Sequence, residues 1–207
     1  MTERFDLYDD QELPLGVSKP RQQVHRDGDW HRSIGLWIVR PTGTLIFQQR
    51  SMLKDTRPGL LTASVSGHYA AGESLEDVLR EADEEIGVPV LASALIPLGV
   101  LRMDDRPAPE MIDRELQDVF LWPLDRPLAD FKPDPLEVSA MAEVDPRELL
   151  ALLDAGSPTI DVTFRATGAT SSEDRSVVLE DFVPMHDYHR RVARAAIDYA
   201  AGRLPAL

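Results

Sequence analysis

Short apolar runs divide the first two thirds of the chain into predicted strands. Residues 34–39 and 44–49 form two such runs, and Pro41, Thr42 and Gly43 between them predict a β-hairpin. A loop rich in turn residues follows at 51–59, and residues 61–66 are predicted to form another strand. Two further strands are expected within 89–103 and 115–124, separated by an irregular loop at 104–112, and a weaker one within 136–145.

The remaining chain alternates between helical and extended patterns. Asp145 and Pro146 give an N-cap and first-turn signal for a helix that we expect to end at Gly156. A strand is predicted at 159–165, and a final helix at 186–202 carries a packing face at Tyr188, Val192, Ala195, Ala196 and Tyr199. We therefore expect one α+β domain over residues 1–207, with a core at about 30–155 and a C-terminal extension at 156–207.

A third helix, between Ser74 and Gly87, is strongly acidic. Ser74 with Asp77 three residues later resembles a capping box, and Gly87 suits the left-handed position that ends a helix. One arc of the helix is apolar, whereas a neighbouring face carries Glu81, Glu84 and Glu85. An acidic face is most often simply solvated. Carboxylates on one rigid helix are also the oxygen ligands that Mg²⁺ prefers.

Composition and charge narrow the classes of function. The chain has 207 residues, no cysteine and a formal net charge of −14, which excludes disulfides, thiolate metal sites and a cysteine nucleophile. The negative charge argues against nucleic-acid binding through broad phosphate neutralisation. No apolar run approaches the roughly 20 residues of a membrane helix, and the first residues lack a signal-peptide pattern. We expect a cytoplasmic protein whose anionic ligand arrives with a metal ion.

Residues 67–88 resemble the signature of the Nudix hydrolase family. The signature reads glycine, five residues, glutamate, seven residues, Arg-Glu, an apolar residue, one residue, Glu-Glu, one residue, glycine and an apolar residue. The positions that match it in order are Gly67, Glu73, Arg80, Glu81, Glu84, Glu85, Gly87 and Val88. One departure is present, because six residues rather than seven separate Glu73 from Arg80. We expect the loop or the first helical turn to absorb the missing residue.

The resemblance implies a fold, a cofactor and roles for particular residues. The family folds as an α/β/α sandwich with a mixed sheet between helices, to which this chain adds N-terminal strands and a C-terminal helix. It hydrolyses diphosphate linkages with Mg²⁺ or Mn²⁺. By position, Glu84 and Glu85 become metal ligands, Glu81 a ligand or the base that activates water, and Arg80 the residue that orients these carboxylates.

Further ligands are implied outside the helix. The carbonyl oxygen of Ser66, just before the signature glycine, completes the inner shell in the usual pattern of the family. Family members often add a carboxylate from outside the signature, and Glu137 and Glu115 are the candidates. Either one is equally well explained as a surface residue at the end of a strand.

A narrower resemblance is to the Nudix branch that contains isopentenyl-diphosphate isomerase. It extends over residues 24–38, 47–68 and 113–120, and the positions that match metal ligands of the isomerase are His25, His31, His68, Asp113 and Glu115. For His25 and His31 alone, a capping or hydrogen-bonding role is the more common one. The essential cysteine of the isomerase corresponds to Ser66 here, so we do not expect isomerase activity.

Basic residues precede the signature and suit contacts to phosphate. Arg50, Lys54 and Arg57 lie in or beside the loop at 51–59, and His68 is a fourth candidate for substrate binding. For Lys54 alone, a solvated loop position is almost as good an explanation. The tryptophans Trp30 and Trp37 are expected in the core, and His186 and His189 at the surface or in packing.

The leading hypothesis is a divalent-metal-dependent hydrolase that cleaves a diphosphate linkage in a small molecule. The alternative is a Nudix-fold binding or regulatory module in which the shortened signature has cost catalysis. The sequence leaves open nucleoside diphosphates and their sugar derivatives, dinucleotides, isoprenoid diphosphates and coenzymes as substrates. A homodimer is an expectation at the level of the family.

Overall fold

The structure, a computed structural model, describes residues 3–207. Within that range, eleven strands form one sheet. The strands are β1 (Arg4–Tyr8), β2 (Pro14–Pro20), β3 (Trp30–Val39), β4 (Leu45–Arg50), β5 (Leu61–Thr62), β6 (Val65–His68), β7 (Ile96–Asp105), β8 (Asp113–Pro123), β9 (Val138–Val144), β10 (Ile160–Ala166) and β11 (Glu173–Val177). The helices are α1 (Arg21–Asp27), α2 (Leu75–Val78), α3 (Arg80–Ile86), α4 (Pro146–Leu153) and α5 (His186–Ala200).

Strand β3 is the hub of the sheet. It pairs antiparallel with β4 and β6 and parallel with β8, so the sheet is mixed, as the resemblance implied. The register places His31 beside Glu115 of β8, and Ser33 beside His68 of β6. Backbone pairing alone therefore brings together side chains that lie more than 80 residues apart in the sequence, as the Ser33–Glu115 contact shows.

Helices cover both faces of this sheet. Because side chains alternate along a strand, one face of β3 presents Ile34, Leu36 and Ile38, which pack with Val78, Ala82 and Ile86 of α2 and α3. The other face presents Trp37 and Val39, which pack with Leu149 of α4 and Val192, Ala195 and Ala196 of α5. The α/β/α sandwich is confirmed. None of the described helices is both long and apolar enough to cross a membrane.

Most predicted strands are present, but the strand expected at 61–66 is interrupted. Its first part, β5, pairs with β4, whereas its second part, β6, pairs with β3. Ser64 lies at the crossing point, where its hydroxyl accepts a hydrogen bond from the Ile38 amide at 2.8 Å and donates to the Ile46 carbonyl. The serine thus replaces backbone pairing where the chain passes from one neighbour to the other.

The acidic helix begins and ends as predicted but is broken in the middle. Ser74 and Asp77 form a reciprocal capping box, and Gly87 ends α3 with a left-handed backbone at φ 68°. Leu79 separates α2 from α3 at φ −64° and ψ −11°. The break falls inside the spacer that is one residue short of the family signature, so α3 keeps its own register.

Helix α4 begins at the predicted cap but ends earlier than expected. The Asp145 carboxylate accepts hydrogen bonds from the Arg147 amide at 2.7 Å and the Glu148 amide at 3.3 Å. The helix stops at Leu153, and Ala155 rather than Gly156 takes the left-handed backbone, at φ 56°. The prediction that Gly156 ends the helix was therefore wrong: its amide instead closes the turn on the Ala151 carbonyl at 2.7 Å.

The second buried face contains a histidine whose protonation is linked to stability. His189 is 1% exposed among Trp37, Phe47 and Phe182, and burial lowers its pKa from 6.5 to about 3. The unfolded chain binds this proton below pH 6.5 while the folded chain does not, so stability falls as the pH drops from 6.5 toward 3. The loss is about 1.4 kcal/mol per pH unit.

Replacing His189 by phenylalanine is expected to remove this pH-dependent part of the stability. When the pH falls from 6.5 to 5, the free energy of unfolding should decrease by about 2 kcal/mol less in the variant than in the wild type. Urea unfolding at the two pH values measures the difference, and the buried His31 contributes equally to both proteins. An equal loss in variant and wild type would show that His189 is protonated in the folded state.

Candidate metal and substrate site

A cleft of about 1010 Å³ contains almost all the site residues expected from the sequence. It lies where β3, β6 and β8 meet α1, α3 and the segment before α5. The predicted residues that line it are Arg50, Lys54, Arg57, Ser66, His68, Glu81, Glu84, Glu85, Glu115 and Glu137. His25 and Asp113 line it as well. Arg80 does not line the cleft and instead binds the carboxylates of the acidic helix.

Glu85 is the most buried carboxylate of the acidic helix, at 6% exposure. One of its oxygens accepts hydrogen bonds from the Gln48 side-chain amide at 3.0 Å and from the Ser66 backbone amide at 3.2 Å. Burial and the neighbouring Glu81 raise the pKa of Glu85 to about 8. Two hydrogen bonds therefore position the group but do not compensate for its charge, so Glu85 has the environment of a carboxylate that binds a cation.

Arg80 binds three carboxylates at once. Its guanidinium donates to Glu73 at 3.1 Å, to Glu81 at 2.6 Å and to Glu84 at 2.9 Å. Glu73 also accepts a hydrogen bond from the Ala70 amide at 2.7 Å, which fixes the loop before α2. The shortened spacer has thus not separated Glu73 from Arg80, and the arginine holds Glu81 and Glu84 at the cleft.

Gly67 has to be glycine because Glu81 packs directly on it. A Cβ atom at this position would lie 2.5 Å from Cγ of Glu81 and 2.6 Å from its carboxyl carbon. Burial against the strand raises the pKa of Glu81, although Arg80 opposes the shift. The signature glycine therefore lets a half-buried carboxylate approach the Ser66–Gly67 backbone.

Replacing Gly67 by alanine is expected to lower kcat about 100-fold by displacing Glu81, since a misplacement of about 1 Å costs that much. Steady-state kinetics with a cleaved diphosphate measures it, and circular dichroism checks the fold. Gly156→Ala adds the same methyl group outside the cleft and should keep full activity. An active Gly67→Ala enzyme would show that the position of Glu81 is not critical.

A second group of ligand-type side chains lies beside the acidic helix. His25, His31, His68 and Asp113 each offer one atom, and these atoms all lie within 4.8 Å of one another. His25 Nε2 and His31 Nε2 are each 3.6 Å from Asp113 Oδ1, and His68 Nε2 is 3.2 Å from Glu115. We call these four residues with Glu115 the histidine cluster.

Several elements have to meet for the histidine cluster to form. His31 and Glu115 come from paired positions of β3 and β8, and His68 ends β6. His25 comes from α1, which Gly28 ends with a left-handed backbone at φ 70°. Phe5 of β1 stacks on His31 and His68 with ring centroids 5.1 Å and 4.8 Å away. The N-terminal segment therefore completes the cluster.

Burial keeps His31 and His68 neutral, which is the form of imidazole that binds a metal. Burial lowers the pKa of His31 to about 3 and that of His68 to about 4, and it raises the pKa of Asp113 to about 7. His31 Nδ1 lies 3.1 Å from the Asp29 carbonyl, so its proton is placed there and Nε2 carries the lone pair. Among the described residues, His25 Nε2, His31 Nε2 and Asp113 Oδ1 are buried without a hydrogen-bond partner.

The basic residues line the same cleft and are held by their neighbours. Lys54 pairs with Glu137, and Arg57 pairs with Asp105 of β7. Arg50 donates to the Thr56 carbonyl at 3.0 Å, and burial lowers its pKa although Glu85 lies nearby. Positive charge is therefore interleaved with the carboxylates of the cleft, since Arg50 and Lys54 both lie near Glu85.

Sequence reasoning missed three polar residues of the site. Gln48 holds Glu85, and Gln117 lines the cleft together with Tyr188, which was predicted only as a packing residue. The available signal was a glutamine inside an otherwise apolar strand, in the runs "LIFQQ" and "ELQDVF". Trp30 and Trp37 are buried at 7% and 0% exposure, as predicted.

Comparison with known proteins gives the family. A family model described as the NUDIX domain matches residues 29–165, more than half of the chain. A Nudix hydrolase of Clostridium acetobutylicum, itself named as uncharacterized, is 32% identical over 209 residues, covering 96% of this chain and 99% of the relative. The chain therefore belongs to the Nudix family of pyrophosphohydrolases.

Further relatives agree with the narrower resemblance. Nudix hydrolase 3 of Arabidopsis thaliana is 37% identical over 161 residues, which cover 75% of this chain and 21% of that protein. An isopentenyl-diphosphate Delta-isomerase of Leifsonia xyli is 32% identical, covering 79% of this chain and 90% of the isomerase. A crystal structure of a Deinococcus radiodurans protein matches with a TM-score of 0.58 at 25% identity, covering 75% and 91% of the two chains.

Proposed function

We propose that the chain is a divalent-metal-dependent hydrolase that cleaves a diphosphate linkage in a small molecule. The observation that carries the proposal is the cleft itself, which is lined by the glutamates of the acidic helix, by Ser66 and by the basic residues Arg50, Lys54 and Arg57. A metal-bound diphosphate needs both kinds of residue, because its oxygens bind cations and also accept hydrogen bonds from basic side chains.

The cleft contains two groups of possible ligands, and each group suits a different kind of metal ion. The uncompensated charge at Glu85, with Glu81, Glu84 and the Ser66 carbonyl, offers only oxygen donors, which suit Mg²⁺ or Mn²⁺. Glu137 lies close enough to raise the pKa of Glu85 further, so we assign it to this group. The histidine cluster, with its unpartnered buried nitrogens, offers imidazole donors that suit Mn²⁺ or another transition metal.

Hydrolysis forms a bond from a water oxygen to one phosphorus and breaks the bridging P–O bond, with the second phosphate leaving. A divalent ion in the site supplies charge neutralisation of the diphosphate and a lower pKa for bound water. Glu81 accepts the proton of the attacking water, since burial brings its pKa closer to neutral pH. Arg80 keeps Glu81 and Glu84 in place, and Arg50, Lys54 and Arg57 bind the phosphates.

The histidine cluster also makes isomerase activity an alternative, since some relatives are named isopentenyl-diphosphate Delta-isomerase. We infer that the chain lacks it, because Ser66 stands where the isomerase has its essential cysteine and the sequence contains no cysteine. A serine hydroxyl is far less acidic than a thiol and is a poor substitute in a proton transfer to carbon.

The test is release of phosphate or nucleotide from a panel of diphosphates, including isopentenyl diphosphate, with Mg²⁺, with Mn²⁺ and with chelator. Cleavage of any compound that stops in chelator is the expected result. Silence across the panel with no metal binding by calorimetry would overturn the proposal. It would favour the non-catalytic binding module, which a nucleotide-induced rise in melting temperature would then identify.

A further inference from the structure

The floor of the cleft carries two polar side chains that the hydrolytic machinery does not use. Gln117 of β8 is 7% exposed and lies beside Ser33 of β3 in the parallel register. Tyr188 of α5 is 6% exposed and reaches the same point from the helix above. Gln117 is two residues beyond Glu115 on the same face of the strand, a separation of about 7 Å.

These side chains have hydrogen-bonding capacity that residues 3–207 leave unfilled. Among the described residues, Gln117 Oε1 is buried without a hydrogen-bond partner. The Tyr188 hydroxyl accepts a hydrogen bond from Trp37 Nε1 at 2.7 Å, and its own proton finds no acceptor in the described chain. A buried amide oxygen without a partner destabilises the folded protein unless a donor binds it.

The backbone is shaped to keep this place open to both groups. Gly35 of β3 has no side chain there, and a Cβ atom would lie 2.8 Å from Gln117 Oε1 and 2.9 Å from the Tyr188 hydroxyl. The two polar atoms therefore converge on one point above the glycine. Three aliphatic side chains line the same cleft, namely Leu101 and Met103 of β7 and Met185 before α5.

We propose that Gln117 and Tyr188 form a subsite for a hydroxyl on the group that the diphosphate carries. A hydroxyl donates to Gln117 Oε1 and accepts the Tyr188 proton, which satisfies both unused functions together. Leu101, Met103 and Met185 contact the carbon chain that links the hydroxyl to the phosphates. The proposal rests on the proposed function and narrows it to hydroxylated rather than purely hydrocarbon diphosphates.

The experiment compares butyl diphosphate with its terminally hydroxylated analogue. The wild type should show a kcat/KM at least about tenfold higher for the hydroxylated compound, because a site built for a hydroxyl is left with unpaired groups by the analogue that lacks it. Gln117→Leu should bring the ratio close to one, and Tyr188→Phe should lower it. The ratio does not depend on the fraction of folded enzyme, and Gln23→Leu, an exposed control on α1, should keep it.

Dissociation constants of both compounds, measured by calorimetry in a Glu81→Gln background, separate the two proposals. Equal cleavage of both compounds by the wild type, or a preference that survives in Gln117→Leu, would overturn the subsite and leave the hydrolase standing. A binding preference lost in Gln117→Leu without any cleavage would support the subsite and count against the hydrolase. Neither binding nor cleavage of either compound would overturn both, with Gln117 then satisfied by water.

Discussion

The Glu85→Gln enzyme is expected to lose metal-dependent turnover by a factor on the order of 1000. Glutamine keeps the shape of the side chain and removes the charge that a cation would meet. It also removes a buried group whose pKa is raised to about 8, so the metal-free variant should melt no lower than the wild type. The loss of activity would then not be a loss of folding.

Two measurements check this result. Steady-state kinetics with Mg²⁺ gives the change in kcat, and thermal unfolding in chelator gives the change in stability. Asp83→Asn removes an exposed carboxylate of the same helix and should keep full activity. Turnover by Glu85→Gln within a few fold of the wild type would exclude this carboxylate as a metal ligand.

The His31→Asn protein is expected to lose one class of Mn²⁺ site. The asparagine amide can still donate to the Asp29 carbonyl, as His31 Nδ1 does, but it has no atom in the place of Nε2. The wild type should bind Mn²⁺ at two classes of site, and the variant should bind at one of them about 100-fold more weakly, because a ligand is gone while its surroundings remain.

Calorimetric titration with Mn²⁺ measures both classes of site. His186→Asn makes the same substitution at another histidine of the cleft, outside the histidine cluster, and should leave the titration unchanged. If His31→Asn binds as many ions as tightly as the wild type, the cluster is a buried hydrogen-bonding group, the alternative open for His31 in the sequence.

Local patterns predicted much of the fold and of the acidic helix. The hairpin at Gly43, the capping box at Ser74 and the C-cap at Gly87 depend on neighbouring residues, so spacing along the chain is enough to identify them. The end of α4 was predicted at Gly156, but Ala155 takes the left-handed backbone. A turn that closes on the Ala151 carbonyl stabilises this conformation of the alanine.

The rest of the site depends on pairing between distant segments. Residue types alone made His25 and His31 possible metal ligands. The register of β3 with β6 and β8 brings His31 to His68 and Asp113, and the packing of α1 against the segment before β8 brings His25 there. Gln117 and Tyr188 could not be linked from the sequence at all, since a strand and the last helix meet there by tertiary packing.

The pairing of β3 with β8 also has a consequence for how the site arises during folding. Ser33 and Glu115, which are hydrogen-bonded, are 82 residues apart, so this contact closes a long loop and belongs to the slower part of folding. A chain that ends before residue 113 contains His25, His31 and His68 of the histidine cluster and all the glutamates of the acidic helix. It lacks β8, the strand that aligns these side chains. A nascent chain of that length should therefore bind divalent ions weakly, and metal affinity should increase only when β8 has joined the sheet.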